Sequence, residues 1–456
     1  MSNVGLVLVS DGPSMQRLFA RILLVLICAP MDLTAAWRLD YDVAETRTAP
    51  LNAPPERAGK VEKRSYALRV WLEADSMVIE RERITTWWNF TARTVTTFDH
   101  DKRLLDQTNL LATLGFREAE FQNRLRLDGA FKAAGVKSDA FDPVLMEHLF
   151  SLRAPQSPES VLTVEGESGC WMHSGKLLFA VRRNGPEWSD SQRRAWLRFV
   201  IYLYGLHPEI VTALTGHRTV PGEMELGRFN TDEEKLLFTL RAATDEASPA
   251  VPASGVGDRA DSVADRIALH VEQMGATGYR AACAELRKDF EAAFDAKRVF
   301  EGALLMLEWG LWTDALTPEL VNSHRDALSG DTDCQTLFAS LNPRNKADAE
   351  KAVAALLAFE NRVGKGQRAL RIFRANILTK LGKFQEARQL FIDVLTEAPA
   401  NVGALKDLGD IYYGAYEMSD AWRCWDAAKR LLPSHKNLKP VIEMERRLIA
   451  KNEQLL

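Results

Sequence analysis

Apolar and polar positions alternate along much of the first half of the chain, and recur every three to four residues through the second. Tyr66, Leu68, Val70 and Leu72 take every second position, the pattern of a strand with one wet face. The "EADS" segment turns the chain, and Met77 and Ile79 resume the alternation. "TARTVTTFD" and "KRLLDQT" continue it, with "HDK" between them as a turn. These runs predict an antiparallel meander. Helices are predicted near 113–135 and 143–153, and strands at "SVLTVEGE" and "KLLFAVRR". "SDSQRRAWLRFVIYLYGL" predicts a strong helix capped by Ser189 or Asp190, and "HPEIVTALTG" a short one. An α+β unit is therefore expected over 62–243. The Pro- and Ala-rich stretches 37–61 and 244–261 are expected to be linkers.

From residue 262 to 456 the helical period takes over, and an all-α unit is expected. Two stretches, 368–401 and 402–435, are copies of each other. Ala387 maps to Ala421, Phe391 to Trp425 and Pro399 to Pro433, each 34 residues on. Leu405, Leu408 and Tyr412 share one face of a first helix, and Ala421, Trp425 and Ala428 one face of a second. Gly409 and Ala421 fall where two helices of a hairpin cross and only small side chains fit. The first copy keeps Ala375, Leu378, Gly382, Phe384, Ala387 and Phe391. Each copy ends on a proline, Pro399 or Pro433, which cannot continue a helix.

This period and this order of small, aromatic and proline positions resemble the tetratricopeptide repeat family. The resemblance implies stacked helix pairs that bind other proteins. The first copy departs from the pattern at Arg371 and Arg374, where apolar residues are usual. Upstream, "GLWTDA" sets Gly310, Trp312 and Ala315 in the relative positions of Gly382, Phe384 and Ala387. Ala349, with "AEKAVAALLAFENR", is expected to form the second helix of a degenerate repeat. "VIEMERRLIAKNEQLL" is expected to close the array. On the family's pattern Ile372, Asn376, Thr379 and Lys380 line the concave face, followed by Lys406, Asp410, Tyr413 and Gly414. Asn376, Lys380, Lys406, Asp410 and Tyr413 are the candidate partner-binding residues. Ile372 stands where the family's carboxylate clamp has a lysine, which argues against capture of a C-terminal carboxylate.

The start of the chain has another plan. Arg17 and Arg21 precede an apolar core, Ile22 to Ile27, and small residues follow at Ala35 and Ala36. This predicts a secretory signal peptide over 1–36, with Met15 a more typical start than Met1. The apolar run is too short to span a bilayer. Export to a bacterial periplasm or beyond is the expectation, with no transmembrane span in the mature chain. Behind the signal lie Cys170, Cys283, Cys334 and Cys424, without a CxxC pair. They fit either disulfides or free thiols.

Length and composition change this picture little. The chain has 456 residues, 46% hydrophobic and 26% charged, with a formal net charge of -4. Nothing there points to nucleic acid. The segments "DSMVIERE" and "TFDHDKRLL" give the first unit some similarity to the sheets of bacterial lipoprotein carriers. That resemblance implies an apolar face for a lipid or acyl chain, lined by Trp87, Trp88 and Phe90. Asp99, His100 and Asp101 form an acid-base trio at a turn, and Cys170 and His173 pair nucleophile and base types. Neither pattern carries a catalytic or metal-binding spacing, and there is no GxSxG, Walker or HExxH motif. No enzyme activity, cofactor or metal is expected. The expected role is docking of another envelope protein or peptide, with carriage of a lipid as the alternative.

Overall fold

A computed structural model describes residues 36–50, 53–136, 141–154, 162–165, 169–230, 232–252 and 262–452. The signal-like segment 1–35 lies outside the described residues. An antiparallel sheet half is followed by an all-helical half, the layout the two hydrophobic periods predict.

Among the described residues the sheet has eleven strands: β1 Ala36–Thr48, β2 Val61–Leu72, β3 Ser76–Arg81, β4 Ile84–Asn89, β5 Thr94–Asp99, β6 Leu104–Asn109, β7 Thr163–Glu165, β8 Cys170–His173, β9 Lys176–Glu187, β10 Thr219–Phe229 and β11 Glu233–Glu246. Their spatial order is β6-β5-β4-β3-β2-β1-β11-β10-β9-β8-β7. Two meanders thus meet along β1 and β11. The expected linker 37–61 is a misreading. Its first twelve residues belong to β1, a central strand paired on both sides. Trp37, Leu39, Tyr41 and Val43 alternate and are buried, but the Pro-rich loop that follows masks the pattern. β8, β10 and β11 were also missed. β10 carries Pro221 and two glycines, and β11 has charged ends. The second expected linker begins inside β11. Residues 248 and 249 then lie on the outer face of the sheet, where Trp87 Nε1 donates to the Pro249 carbonyl at 2.7 Å and Ser248 to Glu73 at 2.8 Å. Residues 253–261 lie outside the described residues.

The inner face, carrying Leu39, Tyr41, Val43, Leu68 and Val70, is covered by the chain's own helices. These are α1 Leu110–Ala133, α2 Pro143–Phe150, α3 Asp190–Tyr204 and α4 Pro208–Leu214. Ser189 and Gln192 form a capping box at the start of α3. Tyr41 stacks on Phe199 of α3 at 6.4 Å and accepts a hydrogen bond from Trp196 at 3.1 Å. Arg117 of α1 donates to the last carbonyls of α3, Ile201 and Tyr202, at 2.6 and 2.7 Å. A cation at a helix C-terminus complements the dipole, although burial lowers this guanidinium to a pKa of about 10.

The helical half begins with α5 Val263–Asp295, whose first turn Ser262 caps. Gly275, at φ 60 and ψ -178, interrupts it, a conformation essentially confined to glycine. Then come α6 Val299–Thr313, α7 Pro318–Ser323, α8 Arg325–Gly330, α9 Thr332–Ser340, α10 Lys346–Glu360, α11 Gln367–Lys380, α12 Phe384–Glu397, α13 Val402–Gly414 and α14 Met418–Leu431. A 3-10 turn at Lys436–Leu438 leads into α15 Lys439–Lys451. The two sequence copies are the hairpins α11–α12 and α13–α14. Ala387, Phe391, Leu405, Leu408, Gly409, Tyr412, Ala421, Trp425 and Ala428 are all buried. Pro399 and Pro433 each follow a helix end, half-buried and exposed respectively.

Both hairpins turn in the same way. Gly382 and Tyr416 take positive φ, 77 and 63. Lys383 N donates to Leu378 O, and Glu417 N to Tyr412 O, each at 2.9 Å, closing a Schellman motif. The turn between α5 and α6 is a third copy: Lys297 has φ 58 and Arg298 N donates to Ala293 O at 2.9 Å. The residue equivalent to Ala387 and Ala421 is therefore Gly302. The upstream register read from Gly310, Trp312 and Ala315 is corrected, because the first two lie inside α6 and Ala315 is exposed beyond its end. Ala349 is buried on α10. Arg371 and Arg374, the departures from the repeat pattern, both bind Glu360 of α10, at 2.7 and 2.5 Å, and Arg371 also reaches Glu397 at 2.6 Å. Ion pairs replace apolar packing there. Among the described residues no disulfide joins Cys170, Cys283, Cys334 and Cys424.

The two halves meet along α14. Trp422 is fully buried against Gly115 of α1, where an added Cβ would come within 2.4 Å of the indole. Next to it Arg423 pairs with Asp106 of β6, with Asp265 of α5 at 2.7 Å and with Asp420 at 3.2 Å. Asn109 donates to Asp426 at 2.9 Å.

Candidate partner-binding site

Docking of α14 on α1 leaves an open cleft of about 490 Å³ between α1, α13 and α15. Glu118, Gln122 and Arg126 line it from α1; four residues apart, they share one helix face. Tyr413 and Gly414 come from the end of α13, Tyr416 from the turn after it, and Arg447 and Lys451 from α15. Lys451 is held by Glu118 at 2.5 Å. Arg126 donates Nε to the Gln122 carbonyl at 3.3 Å. Among the described residues, neither Arg126 nor Arg447 has a carboxylate within ion-pair distance, and both are exposed. The Tyr413 ring lies 5.6 Å from Trp425 and 6.1 Å from Trp422, and burial pushes its hydroxyl pKa up. Tyr416 meets Phe116 edge-on at 6.3 Å.

Only Tyr413, with its neighbour Gly414, reaches this cleft from the expected partner-binding set. Asn376 donates to Asp407 at 3.1 Å, and Lys406 to Asp410 at 2.6 Å. Asp410 also accepts from Trp425 at 3.3 Å. Asn376, Lys406 and Asp410 are thus engaged with neighbours on α13 and α14. Lys380 is exposed at the end of α11, while Ile372 is buried. Arg126, Tyr416 and Arg447 were not anticipated. The spacing of Glu118, Gln122 and Arg126 is legible in the sequence, but the meeting of α1 with α15 is not.

A second cleft, about 260 Å³, opens at the seam between β6, α5 and α14. Arg430 there faces Glu272 at 3.6 Å and Asp426 takes Lys429 at 2.7 Å, while Arg93 makes no ion pair among the described residues.

The acid-base candidates serve local structure. Asp99 accepts from the backbone of Asp101 and Lys102, both at 3.0 Å, while Asp101 pairs with Arg83. His100 shares a 2.8 Å hydrogen bond with Thr85. His173 is 3.0 Å from Asp142, the cap of α2, and Cys170 is half-buried on β8. A more buried cluster joins α2, α4 and β10. Glu147 accepts from His207 at 3.0 Å, His207 N donates to His148 Nδ1 at 3.1 Å, and His148 Nε2 bonds Gly227 O at 2.8 Å. Burial lowers the His148 pKa to about 3. Among the described residues no three His, Cys, Asp or Glu side chains gather to hold a metal. No described helix is long and apolar enough to cross a membrane.

Of the aromatics expected to line an apolar chamber, Trp88 and Phe90 are buried against Tyr202 of α3, at 5.0 and 5.6 Å. Trp87 lies on the outer face. An apolar ligand on the inner face would meet α3 there.

No family model matches the chain, and no curated protein matches it. Among solved structures, one titled "lipid-protein interactions in lipovitellin" overlaps it with a TM-score of 0.17 and 10% identity. The overlap covers 93% of this chain and 57% of that one. It is too slight to carry a fold or a ligand across.

Proposed function

We propose that the protein is an exported tetratricopeptide-repeat-type docking module of the bacterial cell envelope, which binds a partner protein or peptide through its helical half. The observation that carries this reading is the repetition of one hairpin. Ala387 and Ala421 are fully buried at the crossings, Phe391 and Trp425 fill equivalent positions, and both hairpins reverse through the same Schellman turn. Stacks of this kind present long surfaces made of several helices. The signal-like N-terminus supports the location. The cleft that holds Tyr413 is the surface on which a partner is expected.

Affinity capture with the full chain from an envelope extract tests the proposal. A specific partner should be recovered, and an exposed change in the cleft should weaken its recovery while a change on the outer sheet face should not. No specific partner, where a control repeat protein captures its own, would count against docking. Carriage of a lipid, the alternative, requires α3 to leave the inner sheet face. Native mass spectrometry of the purified protein would then find a co-purifying lipid.

A further inference from the structure

The cleft between α1, α13 and α15 has a charge imbalance that selects its occupant. Among the described residues three cations, Arg126, Arg447 and Lys451, face a single carboxylate, Glu118, and that carboxylate is spent on Lys451. The chain as a whole carries a formal charge of -4, so the local excess runs against the average. The nearby Glu445 offers no relief. It already binds Trp422 at 3.1 Å and Lys429 at 2.7 Å. Beside the arginines stand the rings of Tyr413 and Tyr416, and Phe116 meets Tyr416 with 43% of its surface exposed. Guanidinium groups favour carboxylates, which they can hold with two parallel hydrogen bonds. Exposed aromatic faces favour an apolar side chain.

We propose that this cleft takes an acidic peptide segment of a partner, with carboxylates on Arg126 and Arg447 and a neighbouring aromatic side chain against Tyr416 and Phe116. The proposal rests on the docking reading above and adds the partner's chemistry. It also assigns the site to both halves of the molecule. Arg126 belongs to the sheet half and Arg447 to the helical half, so the site exists only while the two halves are docked. The cleft lies apart from the Asn376–Lys406–Asp410 chain, where the cations and acids already satisfy one another.

The test uses the full chain and a fluorescein-labelled peptide of sequence Glu-Glu-Phe-Glu-Glu-Phe, with its Gln-Gln-Phe-Gln-Gln-Phe counterpart. Anisotropy should show the glutamate peptide binding about tenfold more tightly, with affinity falling as salt rises. The double variant Arg126→Ala with Arg447→Ala should remove that advantage, while Lys346→Ala on α10 leaves it intact. Both arginines are exposed, so circular dichroism should be unchanged. Equal affinity for the two peptides, no binding of either, or an advantage that survives the double variant would overturn the proposal. Competition by inorganic phosphate at constant ionic strength would overturn it too, and would mark a phosphate site instead. If the peptide fails while affinity capture still recovers a partner, the acidic-peptide proposal falls and the docking reading stands. If the peptide binds while capture recovers nothing, the envelope partner is what fails.

Discussion

The hairpins α11–α12 and α13–α14 share a backbone and differ in what they face. Phe384, at the start of α12, is 53% exposed, while its counterpart Met418 is buried. Arg388 reaches forward to Glu417 at 2.8 Å and lies 4.4 Å over the Tyr412 ring. Its counterpart Trp422 is buried against Gly115 of the sheet half. Gln389 is exposed and bonds within its own helix, to Asp393 at 2.8 Å. Its counterpart Arg423 holds three aspartates from three elements. Two adjacent substitutions in a repeated helix therefore turn a free face into a joint. The lesson is that the period specifies the hairpin, whereas the residues outside the period specify what the hairpin touches.

The largest effect should come from removing the joint's anchor. Trp422→Ala should cost about 3–5 kcal/mol in urea unfolding, as large-to-small core changes do. Arg388→Ala, at the equivalent place, should cost no more than about 1 kcal/mol. Equal costs would break the comparison. A second contrast lies in the crossings. Gly409 stands where an added Cβ would come within 2.4 Å of the Trp425 indole, while the first copy pairs Ala375 with the smaller Phe391. Gly409→Ala should cost about 2–3 kcal/mol by overpacking. Adding Trp425→Phe, which recreates the first copy's pair, should recover at least about 1 kcal/mol of that. Additive losses would show that the two sites do not share space.

Arg423→Gln, which restores the residue of the first copy, should cost about 2 kcal/mol by leaving Asp106, Asp265 and Asp420 without their shared cation. Smaller still is the turn. Lys297→Gly places glycine where the first copy has Gly382, and should raise stability by up to about 1 kcal/mol. Unchanged stability would mean that Lys297 bears no strain at φ 58.

The sheet half makes a separate prediction with pH. Burial lowers the folded-state pKa of His148 to about 3. As pH falls through the ordinary histidine range near 6.5 the unfolded chain takes a proton that the folded chain refuses. This residue's contribution is therefore present above that range and is lost as pH falls toward 3. The His148 imidazole should show no NMR titration between pH 5 and 8. A midpoint near 6.5 would contradict its burial.

Much of the helical half was legible because its signals are local. Small residues at crossings, a glycine at a turn and a proline after a helix recur at one spacing. The upstream copy was read in the wrong register because its turn uses Lys297 where the first uses Gly382, and because Gly302 stands in for alanine. The sheet half was less legible. β1 and β11 form its centre, yet they lie 197 residues apart at Tyr41 and Phe238, which pack edge-on at 6.0 Å. No local pattern announces such a pairing. The cleft suffered the same fate, since Arg126 and Arg447 come together only through the docking of distant elements.

The central claim is that α14 joins the sheet and the helical half into one cooperative body. Hydrogen exchange followed by mass spectrometry in increasing urea measures this directly. The peptides covering β6 with the start of α1, and those covering α13 with α14, should open with the same free energy, and Trp422→Ala should split them. Opening of α13–α14 well below β6 and α1 in the unaltered protein would contradict the claim.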